Sequence, residues 1–135
     1  MKVLTQHYLI SASVENVWKA LTDEKLIEQW SDDKAKMDDK AGTKFSIWGG
    51  SIWGENLLVV KNKKLVQSWF SDDKEWEDMK KQQLISIVIF YLHQEGDKTE
   101  LELIHEGIPA ADYDNIANGW SDYYLGPLKK FAESL

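Results

Sequence analysis

Over residues 46–70 the chain alternates short apolar runs with breaks. They read Ile47-Trp48, Gly49-Gly50, Ile52-Trp53, Leu57-Leu58-Val59-Val60, Lys61-Asn62-Lys63-Lys64, then Leu65-Val66-Gln67-Ser68-Trp69-Phe70. Runs this short, rich in β-branched and aromatic residues, predict antiparallel strands joined by tight turns. The spacing places strands over 43–48, 52–60 and 64–70. Gly54, inside a strand pattern, predicts a bulge or a close backbone approach. Trp48, Trp53 and Trp69 all fall in this stretch, so the sheet needs a large apolar element to pack against.

Only one long helical pattern can fill that role. Ile116, Trp120, Tyr123, Tyr124, Leu128, Phe131 and Leu135 recur near a 3.6-residue period over 110–135. Pro127 removes a backbone hydrogen bond and predicts a kink near Tyr123, while Gly119 and Gly126 leave the helix dependent on its sheet contacts. A curved sheet closed around this helix is the central expectation.

The remaining elements fit that frame. Residues 3–10 predict a first strand, with Tyr8 and Ile10 on the core side. Ser13 reads as a helix cap, followed by Val14, Val17, Trp18 and Leu21 at helical spacing. Thr22-Asp23 ends that helix and caps a second one carrying Leu26, Ile27 and Trp30. Residues 31–40 predict a polar loop running into an edge strand over 34–38. The charged segment 71–83 predicts a solvated loop, in which Trp76 either folds back as a lid or stands exposed. The apolar run 84–92 predicts a central strand covered on both faces. Residues 93–98 are a hairpin turn, after which Thr99, Leu101, Leu103 and His105 alternate toward the core. One α+β domain over 1–135, with six to seven strands, two short helices after the first strand and a long C-terminal helix, accounts for the whole pattern.

Charge and composition narrow the partners. The 135 residues carry 16 basic side chains, all lysine, against 23 acidic ones, a net charge of −7. Phosphate binding wants a basic face, so nucleic acid is not expected as a partner. Cysteine is absent, which excludes disulfides, thiolate metal sites and a thiol nucleophile. No apolar run approaches the roughly 20 residues that cross a bilayer, and no signal peptide is apparent, so the expectation is a cytoplasmic protein without membrane insertion.

Candidate chemistry is sparse. His7, His93 and His105 have no metal-ligand spacing, no serine sits in a hydrolase elbow, and Gly49-Gly50 lies between strands rather than before a helix. No cofactor or metal is therefore expected. His105, at the end of the core-facing row, reads either as a satisfied buried histidine or as a polar contact at a cavity mouth. Glu55 reads as a rim salt bridge with Lys44 or Lys64 rather than a general acid or base. The inward tryptophans carry two readings: a filled aromatic core, or the lining of an apolar pocket in which His105, Tyr124 and Ser68 orient a ligand. On the second, Trp30, Trp48, Trp69, His105, Trp120 and Tyr124 are the ligand-binding residues. Rival readings are an interaction protein acting through its surface and an enzyme on a small hydrophobic substrate.

The order of elements is that of the helix-grip fold. More specifically, the chain resembles the C-terminal domain of the heat-shock chaperone ATPase activators, within the START-like superfamily. The resemblance rests on Val17-Trp18-Lys19-Ala20-Leu21-Thr22-Asp23, Leu26 and Trp30, Phe45-Ser46-Ile47-Trp48-Gly49-Gly50, Gly54-Glu55, Leu65-Val66-Gln67-Ser68-Trp69, Thr99-Glu100-Leu101, Gly107-Ile108-Pro109 and Gly119-Trp120. It implies a hydrophobic cavity under the last helix, in a superfamily whose members bind apolar molecules and include some enzymes. With the inward aromatics and the kinked helix, the expectation is a non-enzymatic binding module for a small apolar or amphipathic ligand. A heat-shock chaperone is the alternative partner, and the domain is expected as a monomer or homodimer.

Overall fold

The computed structural model describes residues 1–135. Its six strands are β1 (Lys2–Ile10), β2 (Lys44–Ile47), β3 (Ile52–Val60), β4 (Lys64–Ser71), β5 (Ser86–Glu95) and β6 (Lys98–Ile108). They form one antiparallel sheet in the order β1-β6-β5-β4-β3-β2. Helices α1 (Val14–Thr22) and α2 (Glu24–Ser31) follow β1, and α3 (Glu77–Lys81) interrupts the β4–β5 connection. The chain ends on α4 (Tyr113–Gly119), a π-helical turn (Trp120–Leu125) and α5 (Gly126–Ser134). This is the helix-grip arrangement, with a curved sheet closed around the C-terminal helix. No helix is long and apolar enough to cross a membrane.

Local signals set most boundaries. The Ser13 hydroxyl accepts the Asn16 N–H and opens α1. One Asp23 oxygen accepts the N–H groups of Lys25 and Leu26, so this residue ends α1 and caps α2. Thr99, Leu101, Leu103 and His105 are all buried, as their alternation predicts. Gly54 marks a close approach: a Cβ there would collide with the Ser68 carbonyl and press on the Phe45 ring. The bulge in β3 lies further along, between Asn56 and Leu58.

Elsewhere the tertiary structure overrides the local pattern. Segment 71–83 is not an open loop, because Lys74–Trp76 forms a 3₁₀ turn into α3 and Trp76 is completely buried. The apolar area of one indole outweighs the charges around it, which stay solvated. Strand β5 is not covered on both faces. Val88, Phe90 and Leu92 are buried, but Ile87 and Ile89 are only half-buried and Tyr91 is exposed, since helices pack on one side. The expected edge strand over 34–38 shrinks to a single bridge, Lys36 opposite Ser46. Buried side chains hold that segment instead. The Asn56 amide donates to the carbonyls of Asp38 and Lys40 at 3.0 and 3.2 Å, and Gln67 donates to Asn56 Oδ1 at 2.9 Å.

The C-terminal helix widens where a kink was expected. Pro127 has no N–H for the Tyr123 carbonyl, and the Gly126 N–H reaches five residues back to the Ser121 carbonyl. The residue gained in that turn rotates Tyr123 out to 69% exposure and buries Leu125 beside Tyr124.

Two glycines should respond oppositely to alanine. Gly54→Ala forces β3 and β4 apart and should destabilise the protein by about 2 kcal/mol or more. At Gly119, in helical backbone, a Cβ meets nothing within 4 Å, so Gly119→Ala should stabilise by about 0.5–1 kcal/mol. Urea unfolding at pH 7 measures both.

Candidate functional site

The C-terminal helix is tied to the sheet by a short chain of hydrogen bonds through His105. The Trp120 indole N–H donates to His105 Nδ1 at 3.0 Å, and His105 Nε2 lies 3.1 Å from the Ser86 hydroxyl. An indole nitrogen can only donate, so Nδ1 carries no proton and the imidazole is the neutral Nε2–H tautomer. Nε2–H then donates to Ser86 Oγ, whose own proton goes to the Trp69 carbonyl. Every polar atom of this hydrogen-bond relay is satisfied. The Trp69, Trp76 and Trp120 rings lie 4.7, 6.1 and 5.8 Å from the imidazole. Their exclusion of water drives its pKa from 6.5 to about 3.

Beside this sealed cluster a cleft of about 280 Å³ opens to solvent between the sheet and the helix. Trp48 and Ile52 form one wall, Trp69, Ser71 and Asp73 the floor, and Asn115, Asn118, Gly119, Trp120, Tyr123 and Tyr124 the helical wall. Trp48 is placed there by an unusual backbone. Its φ of 53° lies in the left-handed region, which a bulky side chain rarely adopts, and the two glycines that follow continue in it. The Ser51 hydroxyl donates to the Trp48 carbonyl and the Gly49 N–H to the Lys34 carbonyl, both at 2.9 Å, fixing the turn. The Trp48 ring meets Tyr124 edge-on at 5.8 Å. The Trp69 indole N–H is buried without a partner.

A model of the family described as activator of Hsp90 ATPase homolog 1-like protein matches residues 11–133. The chain belongs to this family. Activator of 90 kDa heat shock protein ATPase homolog 1 of Homo sapiens is 26% identical over 118 residues, covering 87% of the chain and 33% of that protein. The chain spans only 33 to 36% of the length of such curated relatives. Among solved structures, an HSP90 activator from Plasmodium falciparum is 25% identical with a TM-score of 0.84, covering 96% of this chain and 95% of its own. A protein from Mesorhizobium loti is 27% identical with a TM-score of 0.81, covering 98% of each chain.

Within this activator-homolog domain, the six residues singled out from the sequence divide into two groups. Trp48, Trp69, Trp120 and Tyr124 meet at the cleft. Trp30 and His105 stand behind it. Trp30 donates to the Ala20 carbonyl at 2.8 Å and packs on Tyr124 at 5.0 Å, while His105 is wholly enclosed. Ser68 points to the opposite face of β4, where it accepts the Glu55 N–H. Glu55 sits opposite Lys44 across β2–β3 but closes no ion pair; the acid–base contacts present are those of His7 and His93 with surface glutamates, ionic only when the imidazole is protonated.

Sequence reasoning missed Asp112 and the clasp it makes. Its Oδ2 accepts the buried Trp76 N–H at 2.7 Å and its Oδ1 accepts from Asn115 at 3.1 Å, pinning the 72–85 connection to the start of α4. The lone tryptophan among charges was the available signal. Asp73, on the cleft floor, has its carboxyl pKa raised by desolvation and then by the Asp112 carboxylate.

Histidine protonation should unfold this domain in acid. Unfolded His105 binds a proton near pH 6.5, whereas the folded site resists it down to about pH 3. The stability contributed is complete above pH 6.5 and is lost as pH falls, by on the order of 4 kcal/mol near pH 3.5. Urea unfolding across pH 7.5 to 3.5 should show that slope in the native protein and a shallower one in His105→Gln.

Proposed function

We propose that this domain is a non-enzymatic binding module that takes a small apolar or amphipathic molecule in the cleft beside Trp120. The observation that carries the proposal is the lining itself. Trp48, Trp69, Trp120, Tyr123 and Tyr124 line the open space, with a few polar groups, Ser71, Asp73, Asn115 and Asn118, among them. Such a mixture of aromatic wall and sparse polar anchors is what small-molecule sites look like. The cleft is slightly smaller than the roughly 300–1,000 Å³ of drug-sized sites, which suits a ligand of one or two rings. Binding is favoured over turnover because the one buried histidine is neutral, fully hydrogen-bonded and shut away from the cleft.

A second reading is supported by the Plasmodium falciparum HSP90 activator, which the chain matches from end to end. On that reading the domain is a chaperone cofactor that works through its surface, and the cleft is incidental.

Gly119 separates the two, because it lines the cleft and a side chain there enters open space. Native mass spectrometry of the protein from its own host should reveal a bound small molecule, and Gly119→Phe should lose it while keeping the circular dichroism spectrum. Protein that is apo in both forms, yet binds Hsp90 and stimulates its ATPase equally with and without the substitution, would replace the binding reading with the cofactor one.

A further inference from the structure

The residues of the cleft also say which charge its occupant carries. No lysine or histidine is among the lining residues, and Asp73 is the one formally charged group. None of the protein's ion pairs includes Asp73, not even with its neighbour Lys74. Its surroundings make the shortage of cations more acute. Partial burial, then the Asp112 carboxylate behind it and Asp72 and Glu75 beside it, raise its pKa against an opposing hydrogen bond from Ser71. Asp112 has both oxygens taken, by Trp76 and by Asn115. Asp73 has the Ser71 hydroxyl and, at a long 3.4 Å, the Asn115 amide as polar partners, and no cation, so its charge at the cleft is not neutralised.

The other walls are aromatic. Indole and phenol rings carry negative potential on their faces and attract an organic cation that has left water. They give no such help to a carboxylate or phosphate, which would also meet Asp73 without a compensating donor charge. The net charge of −7 biases the protein's field the same way.

We propose that the cleft selects molecules carrying a positively charged amine on an apolar body, with the amine between the aromatic walls and Asp73. The apolar body would lie against Ile52, Ile116 and Trp69. This selectivity rests on the cleft-binding reading above and narrows its ligand class, setting aside fatty acids and other anionic lipids.

Three probes with one phenyl body test it: phenethyltrimethylammonium, 2-phenylethanol and 3-phenylpropionate. Quenching of tryptophan fluorescence reads their affinities, and indole N–H shifts in NMR spectra locate them. The ammonium should bind about tenfold or more tighter than the alcohol, as a cation–aromatic contact plus a carboxylate would give, and the propionate weakest. Asp73→Asn should bring the ammonium to within about threefold of the alcohol while leaving the alcohol's affinity unchanged. Equal binding of ammonium and alcohol, or an ammonium preference untouched by Asp73→Asn, would overturn the charge selectivity while leaving cleft binding in place. If none of the three binds and the purified protein carries no passenger, the binding reading falls as well.

Discussion

The structure depends on how one helix fills the concave side of a six-stranded sheet. A curved sheet offers more apolar surface than a regular helix with small side chains can cover. Here the gap is closed by large rings, and the bond from Trp120 to His105 fixes where they sit. That bond ties the helix to β6. Ser86 extends it to β5 and the Trp69 carbonyl to β4, so one chain of hydrogen bonds spans three strands and the helix. Because each member has its partner, the low dielectric strengthens the chain instead of penalising it. A histidine at this place serves as a neutral connector with an acceptor on one side and a donor on the other, and its depressed pKa is the consequence of that burial rather than a sign of catalysis.

Two departures from regular backbone create the cleft. The π-helical turn takes up one more residue than an α-helix would, which brings Leu125 inward beside Tyr124 while Tyr123 swings to the rim. The left-handed conformation at Trp48 does the reverse from the sheet side, turning an indole toward the helix where the strand itself would have carried it past. Strain of this kind persists where the surroundings hold it and often marks a working surface. The Gly49 and Ser51 hydrogen bonds supply that hold. The cleft opens beside the edge-on contact of Trp48 with Tyr124, where the two irregular segments meet.

Membership of the activator-homolog family is consistent with this architecture, since the similar solved structures share it from end to end. The family likeness fixes the scaffold and says less about the cleft, whose character comes from side chains at positions such as Trp48, Asp73 and Tyr123. A scaffold of this type can present an aromatic cavity, an interaction surface, or both, so function has to be argued from the site.

The sequence by itself determined the order of elements, the strand and helix caps, the core-facing row of β6 and the single long helix that the sheet must enclose. These are local properties: period-2 and period-3.6 patterns, a serine and an aspartate at helix starts, glycines at turns. The same patterns separated Trp48, Trp69, Trp120 and Tyr124 from the solvated residues. They did not show that Trp30 and His105 would stand a layer behind, because depth within a core is set by packing between elements distant in the chain. Nor could they show that Trp76 would bury itself among charges, that Asp112 would receive its N–H, or that Pro127 would widen the helix instead of bending it. The burial of Trp76 depended on a partner supplied from elsewhere, since Asp112 lies 36 residues from it. Tertiary structure alone brought such partners together and thereby decided which aromatic rings are core, which line the cleft, and which carboxylate borders it without a cation.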